Sequence, residues 1–173
     1  MMGNSTCLGV IVGNRDFFPD VLISEARRDL AKLFSELDIE PVWLSAEDSK
    51  LGAVETWADA QKCGELLRRN RERIDGILVC LPNFGDEKGV ADSIRLADAR
   101  VPVLVQACPD DLDQFGLDRR RDAFCGKISV CNNLRQYRIK YTLTRDHTVS
   151  LFDPRFREDL VQFTRTCKVV RGL

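Results

Sequence analysis

Cys7-Leu8-Gly9-Val10-Ile11-Val12 is an unbroken apolar run, closed by the polar turn Gly13-Asn14-Arg15. The same texture returns at Ile74-Asp75-Gly76-Ile77-Leu78-Val79-Cys80 and at Val101-Pro102-Val103-Leu104-Val105. A strand that is apolar on both faces belongs in a parallel sheet covered by helices on each side. Ile39-Glu40-Pro41-Val42-Trp43-Leu44 predicts a fourth, more polar strand, and its proline suits a place near a sheet edge. His147-Thr148-Val149-Ser150-Leu151 is the candidate for a fifth.

Between these runs the period changes to that of helices. From Val21 to Leu37 the residues Leu22, Ala26, Leu30, Leu33, Phe34 and Leu37 fall on one stripe, opposite Arg27, Arg28, Lys32 and Glu36. A second helix is expected from about Ala53 to Arg73, carrying Val54, Trp57, Ala58, Leu66 and Leu67 toward the sheet, and a third from Glu87 to Ala99. Residues 109–145 read as an irregular excursion followed by a helix over Ser129 to Tyr137. In the last segment Asp153 can cap a helix with Pro154 in its first turn, Phe156, Leu160, Phe163, Cys167 and Val170 form its apolar stripe, and Gly172 is the stop signal. This alternation implies right-handed βαβ crossovers. The expected fold is α/β: a doubly wound, Rossmann-like or flavodoxin-like parallel sheet of about five strands, with helices on both faces. At 173 residues, the expectation is a single α/β domain spanning 1–173.

Charge and composition narrow the function. The 26 basic side chains nearly cancel the 27 acidic ones, giving a net charge of -1, and they are interleaved along the expected helices. That leaves no basic face for a polyanion, so nucleic acid is not an expected partner. The N-terminus runs straight into the first strand without a signal-peptide pattern, and no apolar run approaches the roughly 20 residues of a membrane span. Neither a membrane nor export is therefore expected, and the placement is cytoplasmic. The cysteines at 7, 63, 80, 108, 125, 131 and 167 are odd in number and lack any CxxC pair, which reads as reduced thiols serving as small hydrophobes and argues against zinc.

In an open α/β sheet, ligands bind beyond the carboxyl ends of the strands, where strand order reverses. With the order 2-1-3-4-5, the loops after the first and third strands face each other there, bringing Arg15, Asn83 and Phe84 together. Hydrogen-bonding groups beside an aromatic face suit a polyhydroxylated ligand. The competing structural reading makes Asn83 and Gly85 a plain turn, Arg15 a solvated cation and Phe84 a packing residue. Asp86 and Glu87 read as a helix cap and first-turn acid, and Asp110, Asp111 and Asp113 as soluble loop acids. His147, the single histidine, has nothing near it at ligand spacing and reads as structural. No GxGxxG or GxxxxGK[ST] is present, Asn14-Arg15-Asp16-Phe17-Phe18 lacks the Ser/Thr and Gly of a flavin phosphate loop, and Cys80-Leu81-Pro82 stands where a receiver domain needs aspartate.

Three stretches, Leu8-Gly9-Val10-Ile11-Val12-Gly13-Asn14-Arg15, Leu81-Pro82-Asn83-Phe84-Gly85-Asp86-Glu87 and Gly126-Lys127-Ile128-Ser129-Val130-Cys131-Asn132-Asn133-Leu134, resemble the N-terminal domain of fucose isomerase-related proteins of the fucose/arabinose isomerase superfamily. The resemblance runs to Val169-Val170-Arg171-Gly172-Leu173. It implies a multidomain, homo-oligomeric aldose–ketose isomerase that uses a divalent metal such as Mn2+, bound by two acids and a histidine in later domains. In such proteins the N-terminal domain helps bind the sugar, often completing a neighbouring subunit's active site. Carried onto this chain, the substrate-binding residues are Arg15, Asn83 and Phe84. An aromatic residue often found in that turn is shifted or replaced. This chain would hold no catalytic or metal-binding residue of its own and need no cofactor. Polarising a sugar carbonyl takes a Lewis acid and a placed base, so the chain alone is expected to be inactive. The alternative is a stand-alone, non-catalytic α/β module that binds a sugar or small metabolite in the same crevice.

Overall fold

A computed structural model describes residues 5–114 and 116–172. Met1, Met2, Gly3 and Asn4 of the sequence reading, and Leu173 after the expected helix stop, lie outside the described residues. Among those described, five strands form one all-parallel sheet in the order β2-β1-β3-β4-β5. The strands are β1 (Thr6–Val12), β2 (Ile39–Val42), β3 (Gly76–Leu81), β4 (Val103–Ala107) and β5 (Thr142–Leu143). The helices are α1 (Val21–Leu37), α2 (Trp57–Arg69), α3 (Glu87–Ala97), α4 (Ala123–Gln136) and α5 (Pro154–Arg171). The doubly wound α/β fold expected from the apolar runs is the observed one.

Every residue of β1, β3 and β4 is buried, because helices cover both faces. Side chains alternate across the sheet with period 2. Cys7 and Ile11 join Ile77, Val79, Val103 and Val105 under α2, α3 and α4. Leu8, Val10 and Val12 join Leu78, Cys80 and Leu104 under α1 and α5. Pro41 sits in the edge strand β2, where its missing N–H breaks no ladder on the open side.

Local expectations are corrected at several points. The second helix begins at Trp57, because Thr56 and Asp59 form a reciprocal capping box, and Ala53, Val54 and Glu55 run extended beside the end of β1. Its buried face is Ala60, Cys63, Gly64 and Leu67, while Trp57 and Ala58 are exposed. α3 stops at Ala97, where Asp98 turns left-handed at φ 45°. α4 starts at Ala123, six residues before the expected Ser129, directly after the arginine tract.

The fifth strand is Thr142–Leu143 and not His147–Leu151. Val149 and Leu151 are buried as loop residues, with Val149 N–H donating to the Ala107 carbonyl at 2.9 Å. At α5, Asp153 caps the helix by accepting from Arg155 N–H, Pro154 occupies the first turn, and Val170 at the far end is 44% exposed and outside the buried stripe. No described helix is long and apolar enough to cross a membrane.

Candidate functional site

Strand order reverses between β1 and β3, so their following loops, 13–20 and 82–86, leave the sheet side by side. A third segment joins them. Val54 N–H donates to the Val12 carbonyl at 2.8 Å and Asn14 N–H donates to the Val54 carbonyl at 3.0 Å, which prolongs β1 by one bridge and carries Glu55 into the same crevice.

Asn83 ties the two principal loops together from below. It is fully buried; its Oδ1 accepts from Gly85 N–H at 3.0 Å, which sets the orientation of the amide, and its Nδ2 donates to Asn14 Oδ1 at 2.5 Å. Gly85 adopts φ 74°, a conformation that side chains with a Cβ rarely take. Asn14, also fully buried, keeps an Nδ2 with no partner at hydrogen-bonding geometry, although its amide faces the Glu55 carboxylate closely enough to lower that group's pKa. The net shift of Glu55 is upward, because burial is the largest influence and Asp16 adds to it, against the Asn14 amide and Lys50. Lys50 Nζ lies 2.8 Å from Asp20 Oδ1 and 3.7 Å from Glu55 Oε2.

Arg15 and Phe84 meet directly. The guanidinium carbon of Arg15 stands 4.5 Å from the centroid of the Phe84 ring, and the guanidinium also pairs with Glu87 at the start of α3. Phe18 stacks near the ring, 6.3 Å from Phe84 between centroids, and exposed Phe17 lies 4.8 Å from Phe18. A cation over an aromatic face is attractive when partly desolvated, and the Arg15 side chain is 29% exposed. The crevice thus offers a held cation, an aromatic ring and the partly buried Glu55 carboxylate beyond the sheet ends. Such an arrangement can hold hydroxyl groups and a C–H face of a small polar molecule.

The structure therefore brings Arg15 and Phe84 into contact and sets Asn83 beneath them. Asn83 can reach a ligand only through Asn14 or the turn it fixes. Sequence reasoning missed Asn14 as the bridging partner, together with Lys50 and Glu55. The short apolar step Gly52-Ala53-Val54 was the one signal for the last two.

Other candidates lie apart from this crevice. His147 is exposed, its ring 5.3 Å from that of Phe124, and it stands in a bend. Asp86 caps α3 by accepting from Gly89 N–H. Asp110 accepts from Arg121 and Asp122 N–H, and Asp111 from Asp113 N–H, so both shape the turns before α4. Among the described residues no group of three or more His, Cys, Asp or Glu side chains could hold a metal ion. A cavity of about 600 Å³ lies at the opposite end of the strands and shares no residue with the crevice.

No curated protein matches the chain. The family model described as fucose/sulfoquinovose isomerase, N-terminal domain, matches residues 9–173, a span that takes in both loops of the crevice and the α4 stretch packed beneath them. The chain belongs to that family of isomerase N-terminal domains.

Proposed function

We propose that this chain is the sugar-binding N-terminal domain of a longer aldose–ketose isomerase, cytoplasmic and homo-oligomeric, in which the metal and its ligands are supplied from outside the chain. The observation that carries the reading is the Arg15–Phe84–Glu87 cluster at the reversal of strand order, in a chain of this family. The guanidinium donates to sugar hydroxyls, or to an anionic substituent where the sugar carries one, through its fixed fork of N–H groups. The Phe84 ring packs against the sugar's C–H face, and Asn83 and Asn14 hold the two loops at the spacing this requires. In the whole enzyme a divalent metal held outside this chain would polarise the sugar carbonyl. This chain's own residues bind and orient the sugar and exclude water from one side of it.

Oligomer assembly is supported by the exposed apolar side chains gathered at the same end of the sheet. Phe17, Trp57 and Phe152 are 78%, 51% and 66% exposed, and each lies in, or opens onto, a loop beyond the C-terminal ends of the strands. Apolar rings around a polar crevice fit a face covered by another chain. All seven cysteines are free thiols, which fits a reducing compartment.

Saturation-transfer NMR with L-fucose and with sulfoquinovose tests the binding role. At least one sugar should take up saturation from the wild-type chain, and the transfer should vanish in Arg15→Ala. An assay of ketose formation by the same chain with manganese added should give no turnover. Turnover would overturn the division of labour, and transfer unchanged in Arg15→Ala would overturn the site.

A further inference from the structure

We propose that the cavity at the N-terminal ends of β3, β4 and β5 is a binding site for a small organic anion with an apolar ring or chain, separate from the sugar crevice. The cavity measures about 600 Å³, within the roughly 300–1,000 Å³ of small-molecule sites. Ile77, Val103, Pro102 and Ile139 give it an apolar lining beside the Tyr141 ring. Arg95, Arg100, Arg138 and Lys140 also line it, against a single acid, Asp98. A chain with a net charge of -1 thus gathers four cations around one apolar hollow.

Two of the four are already engaged. Arg95 pairs with Asp92 at 3.0 Å and lies over the Tyr137 ring, and Arg100 lies 3.4 Å from Asp98. Arg138 and Lys140 make no side-chain hydrogen bond or ion pair with the described residues. Helices α3 and α4 end here, and cations often serve only to offset the negative end of a helix. At α4 that need is met by the backbone: Tyr137, Arg138 and Ile139 N–H donate to the carbonyls of Asn133, Arg135 and Leu134 at 3.0, 3.0 and 2.9 Å. The free charges of Arg138 and Lys140 are therefore available to a ligand. An inorganic ion would leave the apolar lining unused, and a neutral hydrophobe would leave the cations unpaired. An anion carrying an apolar body satisfies both.

The test uses two dyes of nearly the same shape on the whole chain: 8-anilinonaphthalene-1-sulfonate, and its neutral analogue N-phenyl-1-naphthylamine. The sulfonate should bind wild type and Arg15→Ala alike, and the double variant Arg138→Gln, Lys140→Gln should bind it about tenfold more weakly, or worse, at an unchanged melting temperature. The neutral dye should bind more weakly than the sulfonate and equally to all three proteins. Millimolar inorganic phosphate should not displace the sulfonate. Equal sulfonate affinity in the double variant, neutral-dye binding as tight as the sulfonate's, or displacement by phosphate alone would each overturn the proposal.

Discussion

Arg15 is held from two sides, by the π face of Phe84 and by the Glu87 carboxylate, and only a planar guanidinium serves both. Arg15→Lys should therefore lose sugar binding nearly as fully as Arg15→Ala, while leaving the melting temperature within about 2 °C, since a partly exposed ion pair contributes little to stability. Saturation transfer and differential scanning calorimetry on the two variants check this. Lys127 makes a different case. It is 4% exposed, its Nζ donates to Thr144 Oγ1 at 2.8 Å and to the His147 carbonyl at 2.9 Å, and burial brings its pKa down from 10.5 to about 8. Below pH 8 the amine is charged in both folded and unfolded states, and its desolvation cost is fully present. Between pH 8 and 10.5 the folded chain releases the proton first, so the Lys127 contribution to stability grows as pH rises. The stability difference between wild type and Lys127→Met, from urea denaturation at pH 7 and pH 9.5, should widen in favour of wild type at the higher pH. That Arg15 and Phe84 meet above Asn83 was legible in the sequence, because the loops carrying them follow apolar runs that end abruptly. Lys50 and Glu55 were not, because they reach the crevice through an irregular segment after β2 whose pairing with β1 leaves no periodic mark.

The elements that position the site depend on one close approach. A Cβ on Gly126 in α4 would stand 1.8 Å from the Phe84 carbonyl oxygen, so α4 rests directly on the turn that presents the aromatic ring. Gly126→Ala should destabilise the domain by about 1–3 kcal/mol, the usual range for overpacking, and should weaken sugar binding as the turn shifts. Denaturation midpoints and sugar titrations measure the two effects, and loss of stability with full binding would show that the turn does not depend on α4. Thr56→Ala should cost α2 about 1 kcal/mol through its capping box, without touching binding. The bounds of α1 and α5 were readable because one stripe buries against one sheet face in each, although Leu37 and Val170 at their far ends fall outside the buried set. β5 was misread because alternation signals burial and not pairing. Val149 and Leu151 are buried by the loop that packs over the sheet, whereas the true edge strand has two residues, both exposed. The start of α4 was missed because its first turn, Ala123-Phe124-Cys125, mixes buried and exposed residues without a clean stripe.

At the scale of the whole molecule the charge is sorted by end. Each loop beyond the C-terminal strand ends carries more acids than bases: Asp16 and Asp20 against Arg15, and Glu47, Asp48 and Glu55 against Lys50. At the opposite end, Arg71, Arg73, Arg100, Arg138, Lys140, Lys168 and Arg171 outnumber Asp38, Glu72, Asp75 and Asp98. The cation Arg15 is thus set in an acidic surround, which weakens the positive potential it presents, so its hold on a ligand rests on the geometry of its N–H groups. The parallel sheet was legible in the apolar runs, whereas its order 2-1-3-4-5 entered only as a condition. The sorting of charge was not legible, because it depends on which loops share an end. The central claim is that the sugar binds where strand order reverses. Amide chemical-shift mapping of the 15N-labelled chain, titrated with L-fucose and with sulfoquinovose, tests it most directly. Shifts should cluster in residues 13–18, 54–55 and 82–87 and disappear in Arg15→Ala. Shifts confined to other loops, or to the opposite end of the strands, would contradict it.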